Sequence, residues 1–576
     1  MQDKVNFVKL NKYAKLDMTD LKLYKLALLG NCSTQHIAKA LKGYGYLEGF
    51  NLDIFDADYN QIESQIIDEA SKLYNMNPDS VLIYMASEKL LEEYCKIEVN
   101  KRSEFANIII EKIKFYWEKI NSKLNANIIQ FNFVEIDDKV FGNYSNKVTS
   151  SFLFQLRKLN YMLDELASNT KNAFIIDLSS IQNEVGRQNF YDDKLYYIAK
   201  MPISLNVLPD VAKQVVTLIK TLNGKFKKCV ILDLDNTLWG GVIGDDGINS
   251  IQIGELGLGR AFSEFQMWLK ELKNRGIILA VCSKNNEDIA KEPFIKHPDM
   301  VLRLDDISMF VANWQDKATN IKNIQQTLNI GMDSIVFIDD NPFERNLVRQ
   351  LVQDITVPEL PEDPALYLSY LRSLNLFETT SYSENDKDRT KQYQAEVGRT
   401  KLQSSFKDFD EYLDGLDMKA EYHEFDEFDI PRISQLTQRS NQFNLRTIRY
   451  TEEDITKIKN NKDKYITLSY SLKDKFGSYG LISVLIMEIK DKENLFIDTW
   501  LMSCRVLKRG MEEFIINKAV EIAKEKGFKK IIGEYIPTKK NKMVENIYKD
   551  LGFSKISDTI FEVNINKFKN NKTKVK

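Results

Sequence analysis

The sequence predicts an α/β protein: two Rossmann-like, doubly wound domains followed by a smaller α+β domain. Three observations carry that expectation. Short apolar runs recur through the first half of the chain at intervals long enough for helices. Near the middle, Cys229-Val230-Ile231-Leu232 has no polar alternation, as befits a strand covered on both faces, and it ends abruptly in Asp233-Leu234-Asp235. The last third changes to longer strand-like stretches in direct succession. At 576 residues the chain exceeds one hydrophobic core, and about three or four domains are expected.

Composition narrows the function classes. Hydrophobic residues at 43% and charged residues at 28% argue against wholesale disorder. A net charge of -3 supplies no basic field, and the aromatic residues form no base-stacking motif, so nucleic acid is not an expected partner. The five cysteines, Cys32, Cys95, Cys229, Cys282 and Cys504, lack metal-ligand spacing and imply neither disulfides nor a zinc ribbon. The three separated histidines argue against a histidine metal centre. The start Met1-Gln2-Asp3-Lys4-Val5 has no apolar signal core, and no apolar run approaches the roughly 18 residues of a membrane span. A cytoplasmic location without membrane partners is the expectation.

Residues 1–215 read as the first domain, with strands at Leu26–Leu29, Leu52–Phe55, Val81–Tyr84, Ile128–Phe131 and Phe174–Leu178. The first strand ends in Gly30-Asn31-Cys32-Ser33-Thr34, a turn able to offer backbone N–H groups to an anion or simply to start a helix. Residues 223–376 form the second domain, opened by the Cys229 strand. Strand side chains alternate, so Asp233 and Asp235 can face one site while Leu234 packs away. By itself an Asp-x-Asp pair reads more simply as two solvated acids in a loop. Gly240, Gly241, Gly244 and Gly247 suggest a small hairpin flap rather than a cap domain. An amphipathic helix over Arg260–Arg275 carries Phe262, Phe265, Leu269 and Leu272 on one stripe, with Gly276 placed to end it. The strand Ile277–Cys282 delivers Ser283, Lys317 opens another amphipathic helix, and the strand Ile335–Ile338 ends in Asp339-Asp340. Asn341-Pro342-Phe343-Glu344 then reads as a helix start with a capping box.

Residues 377–417 are polar and read as a linker or exposed helix. Residues 418–565 form the third domain, with strands at Tyr465–Leu472, Gly480–Glu488 and Leu495–Ser503, and a helix over Met511–Lys526. Residues 566–576 read as a solvated polar tail.

The order Asp233, Asp235, Ser283, Lys317, Asp339-Asp340 resembles the four motifs of the haloacid-dehalogenase-like (HAD) phosphotransferases across the whole second domain. A carboxylate that attacks an anionic phosphoryl group needs a divalent cation to offset charge, and hard oxygen ligands suit Mg²⁺. The resemblance implies Asp233 as nucleophile and Asp235 as general acid, then base. Asp233, Asp340, Asp339 and the backbone carbonyl of Asp235 would surround Mg²⁺, and Ser283 with Lys317 would hold the phosphoryl oxygens.

The stretches Asp233–Gly247, Val281–Asn286 and Phe337–Arg345 resemble the FkbH-like (HAD-IIIC) branch. That branch is associated with polyketide and related pathways, where a glyceryl unit from 1,3-bisphosphoglycerate is dephosphorylated and passed to the phosphopantetheine thiol of an acyl carrier protein. The domain order agrees. The first domain resembles the SGNH-hydrolase fold, with Ser33 near the nucleophile position but no histidine between His36 and His297, which makes it a docking or scaffold domain. The third resembles GNAT-type acyltransferases. There Arg505-Val-Leu-Lys-Arg-Gly510 keeps the first and last positions of a coenzyme A or phosphopantetheine loop, with Lys508 where glycine is expected, and Tyr548 matches a tyrosine that protonates a leaving thiolate. A thioester relay would need a cysteine of lowered pKa: Cys504, beside Arg505, is the first candidate and Cys282 the runner-up, each also readable as a core residue.

The expected function is therefore a Mg²⁺-dependent phosphatase coupled to glyceryl transfer onto a carrier protein. A stand-alone phosphatase of a small phosphate ester and a non-catalytic docking protein are the alternatives.

Overall fold

The computed structural model describes residues 5–382, 389–403, 406, 408–440 and 442–576. The chain divides into two compact units, Met1–Lys220 and Thr221–Lys576. Among the described residues no helix is long and apolar enough to cross a membrane.

The first unit holds five parallel strands: β1 (Lys22–Gly30), β2 (Phe50–Asp56), β3 (Ser80–Tyr84), β4 (Asn127–Phe131) and β5 (Ala173–Ile176), in the order β2-β1-β3-β4-β5. Their runs are continuously apolar because helices cover both faces; every residue of β3 is buried. The strand expected over Phe174–Leu178 stops at Ile176. Asp177 instead caps the next helix, its carboxylate accepting from the Ser180 N–H.

The second unit contains two sheets. In the first, β6 (Cys229–Leu232), β7 (Ile278–Ser283), β8 (Met309–Ala312) and β9 (Ile335–Ile338) run parallel in the order β8-β7-β6-β9. Alternation along the strands decides which helix each residue meets. Val230, Leu232, Leu279 and Val281 pack with Phe262, Phe265 and Leu269 of the helix Leu258–Asn274. Cys229, Ile231, Ala280 and Cys282 pack with Ala318, Ile321 and Ile324 of the helix Lys317–Leu328. Each such buried side chain stabilises the layer by roughly 2 kcal/mol. Gly276 follows the first helix with φ +94°, a left-handed value that favours glycine.

The second sheet joins β10 (Lys419–His423), β11 (Phe443–Asn444), β12 (Tyr465–Asp474), β13 (Gly477–Ile489), β14 (Asn494–Met502), β15 (Lys530–Glu534), β16 (Ser554–Lys555) and β17 (Ile560–Asn564). Its order is β10-β12-β13-β14-β15-β17-β16, with β11 paired to β14 off that path. Only β14 and β15 pair in parallel, and the helix Met511–Glu525 makes the crossover between them. This is the α+β architecture expected for the third domain.

Two polar segments are more ordered than their composition suggests. Within 377–417, the helix Arg389–Gln403 buries Tyr393, Glu396 and Arg399. Arg399 forks onto Asp474 at 2.7 and 2.8 Å, so its charge is used inside the fold. Residues 383–388, 404, 405 and 407 of the expected linker lie outside the described residues. The tail 566–576 is docked rather than solvated: Val575 is buried, Lys576 N–H donates to Met418 O, and Ala420 N–H donates to Lys576 O. Apolar Val575 supplies the burial, and the edge of β10 supplies the backbone partners.

Candidate active site

Parallel strands end on one side, so residues that follow β6, β7 and β9 meet at the carboxyl edge of their sheet. There Lys317, the first residue of its helix, places Nζ 2.9 Å from Asp233 Oδ2 and 2.6 Å from Asp339 Oδ2. All three side chains are buried, as is Ser283 at the end of β7. Carboxylate oxygens of Asp233, Asp339 and Asp340 lie within 4.8 Å of one another.

Hydrogen bonds sort these acids by role. Asp339 is fully engaged: Oδ2 takes Lys317, and Oδ1 accepts the Asn341 N–H at 2.8 Å. Asp340 Oδ1 accepts the Thr237 hydroxyl at 3.2 Å. Asp233 Oδ1 is buried with no partner. A buried acceptor without a donor is costly and points to a ligand that completes it. Three clustered carboxylates against one ammonium leave excess negative charge. Burial, then the Asp233 carboxylate, hold both Asp339 and Asp340 above the usual carboxylate range. Burial opposes the charge on Lys317, but Asp233 and Asp339 outweigh it and hold the ammonium protonated. An all-oxygen donor set with an orphaned carboxylate oxygen fits a hard divalent cation.

Asp235 stands apart from that cluster. Its Oδ1 accepts from the Trp239 indole N–H at 3.0 Å and the Ile243 N–H at 2.9 Å, and its Oδ2 accepts from the Asn285 amide at 3.0 Å. Burial comes first among the causes that raise its pKa, which favours a carboxyl able to carry a proton. The flap that supplies Ile243 is small: Gly240 pairs with Gln252, and Ile243–Asp246 forms one helical turn between them. Gly241 needs its φ of +97°, and a Cβ there would stand 2.6 Å from Asp246 Oδ2.

Sequence reasoning placed Asp233, Asp235, Ser283, Lys317, Asp339 and Asp340, and the fold gathers them at one edge. It gave no role to Thr237, Trp239, Asn285 or Arg345. Arg345 Nη1 donates to the carbonyls of Asp339 and Asp340, at 2.9 and 2.5 Å, and pins the loop that carries both acids. The polar types next to the acidic motifs were the available signal.

The acyl-transfer candidates are arranged differently. Burial raises the Cys504 thiol, with Lys228 only partly opposing, which is the reverse of what a thiolate nucleophile needs. Cys504 O accepts from Asn329, which caps the far end of the helix that Lys317 begins. Twelve residues separate the ends, so that carbonyl lies about 18 Å from the start of the helix. Cys282 is an inert core residue, its thiol pushed up by burial and directed at Lys317 O at 3.9 Å. Tyr548 is also core: its hydroxyl is buried without a partner, and its ring would touch a Cβ on Gly533 at 2.3 Å. Burial raises its pKa, which weakens it as an acid.

Arg505 is buried, with Nη1 on Gln392 Oε1 at 2.5 Å and Nη2 on Tyr479 O at 3.2 Å. Lys508 has φ +59°, which explains why glycine is expected at that position. Its N–H is occupied by Glu512 Oε1 at 2.9 Å. Gly510 caps the helix Met511–Glu525 and is covered by Thr573, whose hydroxyl donates to Gly510 O at 2.6 Å. In the first unit, the Ser33 hydroxyl donates to Ala199 O at 2.5 Å rather than to a base.

Comparison with known proteins adds an independent view. Residues 25–220 match the family described as FkbH, N-terminal domain. A crystal structure of the N-terminal part of protein BF1531 from Bacteroides fragilis, containing a phosphatase domain complexed with Mg, is 49% identical, covers 66% of this chain and 100% of its own, and superposes with a TM-score of 0.63. The Escherichia coli ribosomal-protein-S18-alanine N-acetyltransferase is 12% identical over 25% of this chain and 94% of its own, with a TM-score of 0.21. The Vibrio cholerae spermidine N-acetyltransferase in complex with CoA and spermine is 11% identical over 26% of this chain and 97% of its own, with a TM-score of 0.22. Likenesses at that level carry no functional argument. No curated protein matches the chain. With nearly half of all residues identical over the whole of the Bacteroides fragment, the chain belongs to the FkbH-like family and carries a HAD-type phosphatase domain at its centre.

Proposed function

We propose that this chain is a Mg²⁺-dependent phosphatase that removes phosphate from a phosphorylated three-carbon acyl donor, such as 1,3-bisphosphoglycerate, and passes the glyceryl unit to the phosphopantetheine thiol of an acyl carrier protein. The observation that carries the phosphatase half is the buried Asp233 carboxylate, ion-paired to Lys317 on one oxygen and unpartnered on the other. The cation follows from the donor set and from the Mg in the similar Bacteroides structure.

Asp233 attacks phosphorus, the bond from phosphorus to the leaving oxygen breaks, and Asp235 gives that oxygen a proton. Asp235 then takes a proton from water, the hydroxide attacks phosphorus, and the bond to Asp233 breaks to release phosphate. Lys317 and Ser283 hold the phosphoryl oxygens, while Asp339 holds Lys317 in place. Asp233 and Asp340, with the Asp235 carbonyl, would hold Mg²⁺, which when bound supplies charge neutralisation at the phosphoryl group. In the transfer half the carrier thiol attacks the acyl carbon and displaces the C1 phosphate, which takes up the thiol proton, so the ester cleaved at Asp233 is the one on the C3 hydroxyl. This half rests on the family resemblance and the presence of the third domain.

A second reading, a stand-alone phosphatase of a small phosphate ester, is favoured by one observation: Arg505 and Tyr548 are buried, the half-buried Cys504 has its thiol raised rather than lowered, and none is poised for acyl transfer. The test is incubation with Mg²⁺, enzymatically generated 1,3-bisphosphoglycerate and a phosphopantetheinylated carrier protein, with phosphate release and intact masses read together. Phosphate release with a glyceryl adduct on the carrier supports the full reading. Release with no adduct on either protein supports the stand-alone phosphatase.

A further inference from the structure

Two carboxylate oxygens of the phosphatase domain are buried without a partner among the described residues: Asp233 Oδ1 and Glu344 Oε2. The first belongs to the reacting group. The second has no place in that chemistry. Its residue stands where sequence suggests a capping box, but Asn341 caps the helix Pro342–Leu351 by accepting from the Phe343 N–H. Glu344 Oε1 instead accepts from Lys284 Nζ at 2.6 Å.

Topology makes that pair informative. Lys284 directly follows β7, and Glu344 lies just beyond β9; these are the two strands that flank β6. Adjacent strands are about 4.8 Å apart, so the pair bridges roughly 10 Å over the end of β6, where Asp233 begins. Lys284 also sits between Ser283 and Asn285, the latter holding Asp235. The Lys284 side chain is 37% exposed and that of Glu344 only 7%, so the cation covers the acid from the solvent side.

We propose that Lys284 and Glu344 form a second subsite that reads the part of the substrate beyond the transferred phosphoryl group. Lys284 takes an anionic group of the substrate, and Glu344 Oε2 accepts a hydroxyl once the lysine shifts toward that anion. The substrate class is a hydroxylated phosphate monoester with a second negative group. This assignment rests on the phosphatase reading and deepens it. A buried, singly paired carboxylate is costly unless a ligand donor completes it, and Asp233 shares that arrangement in the same domain.

The test measures equilibrium binding to full-length Asp233→Asn protein with Mg²⁺, using three probes: n-propyl phosphate, glycerol 3-phosphate and 3-phosphoglycerate. Glycerol 3-phosphate should bind about tenfold tighter than propyl phosphate, and 3-phosphoglycerate tighter again. Adding Glu344→Met should remove the preference for the hydroxyl, and adding Lys284→Met the preference for the carboxylate. Affinity for propyl phosphate is measured for each variant as the reference, and each preference is read as the ratio to it in the same protein. Glu344→Gln, which keeps size and polarity, guards against a folding failure and should lose part of the hydroxyl preference. Equal binding of the three probes to the parent, or preferences that survive both substitutions, would overturn the subsite. So would a loss of Mg²⁺ affinity with preferences unchanged, since Glu344 would then serve the cation. Phosphate release from p-nitrophenyl phosphate by the Asp233-intact chain separates the two claims: release without probe discrimination sinks the subsite alone, and discrimination without release sinks the phosphatase reading while the subsite stands.

Discussion

Two charged regions of the second unit show opposite arrangements of the same residue types. At the carboxyl edge of the β6 sheet, acids crowd together, Asp233 keeps an unpartnered oxygen, and one lysine serves two carboxylates. Around the turn 505–510 the three arginines are engaged, while Glu512 Oε2 and Glu513 Oε2 on the helix that follows are buried without a partner among the described residues. Arg509 reaches Glu396 and the Tyr479 hydroxyl, Arg399 forks onto Asp474, and Arg505 meets Gln392. Incomplete pairing in a buried place marks groups waiting for a ligand, while complete pairing marks a structural joint. By this criterion the first region is a site, and the arginine cluster of the second is a clamp between the helix Arg389–Gln403 and the β12–β14 sheet.

The comparison can be broken in several ways. The largest expected effect is Asp233→Asn, which should lower phosphate release by on the order of 10⁴-fold or more while leaving the metal-free melting temperature unchanged or raised, since it removes one crowded charge. Steady-state phosphate assay and a thermal melt check both parts. Lys317→Ala should abolish turnover and also destabilise the protein by about 3–5 kcal/mol, because Asp233 and Asp339 lose their shared counter-ion. Arg509→Met is the mirror test: denaturant unfolding should show a loss of about 3 kcal/mol with kcat/KM for a small phosphate ester nearly intact. A drop in kcat/KM as large as that for Lys317→Ala would mean the clamp belongs to the site.

A pH effect follows from the crowded acids. Burial and the Asp233 carboxylate raise the folded-state pKa of Asp339 and Asp340, and burial raises Asp235. A raised carboxyl favours the folded state when protonated, so the metal-free protein should lose this contribution as pH rises from roughly 4 through those folded values. A bound cation offsets the repulsion. The Mg²⁺-induced rise in melting temperature should therefore be larger at pH 8 than at pH 6, and a smaller rise at pH 8 would contradict the electrostatic account. The smallest expected effect is Cys504→Ala, which should change phosphate release by less than about twofold, as its carbonyl meets Asn329 at the far end of the helix that Lys317 begins, about 18 Å from that start.

Much of the phosphatase centre was legible in the sequence because each group sits at a strand end or helix start, where local pattern fixes position. Asp233 after Cys229–Leu232 and Asp339 after Ile335–Ile338 are such cases. What escaped depends on partners distant along the chain. Asn285 meets Asp235 from 50 residues away, Glu344 meets Lys284 from 60, and Arg505 finds Gln392 at a separation of 113. The electropositive surroundings read for Cys504 from its neighbours in sequence were outweighed by burial, which depends on the packed third dimension. The tail 566–576 looked solvated for the same reason: a single valine and an open strand edge dock it, and composition does not register either.

The most direct test of the central claim is a single-turnover reaction of the full chain with Mg²⁺ and a phosphoryl donor, quenched in acid and read by intact and peptide mass spectrometry. The account expects a transient gain of one phosphoryl group on the peptide containing Asp233, lost as phosphate appears, and no such gain in Asp233→Asn. Phosphate release at the normal rate by Asp233→Asn, or a phosphoryl group trapped on a different residue, would contradict it.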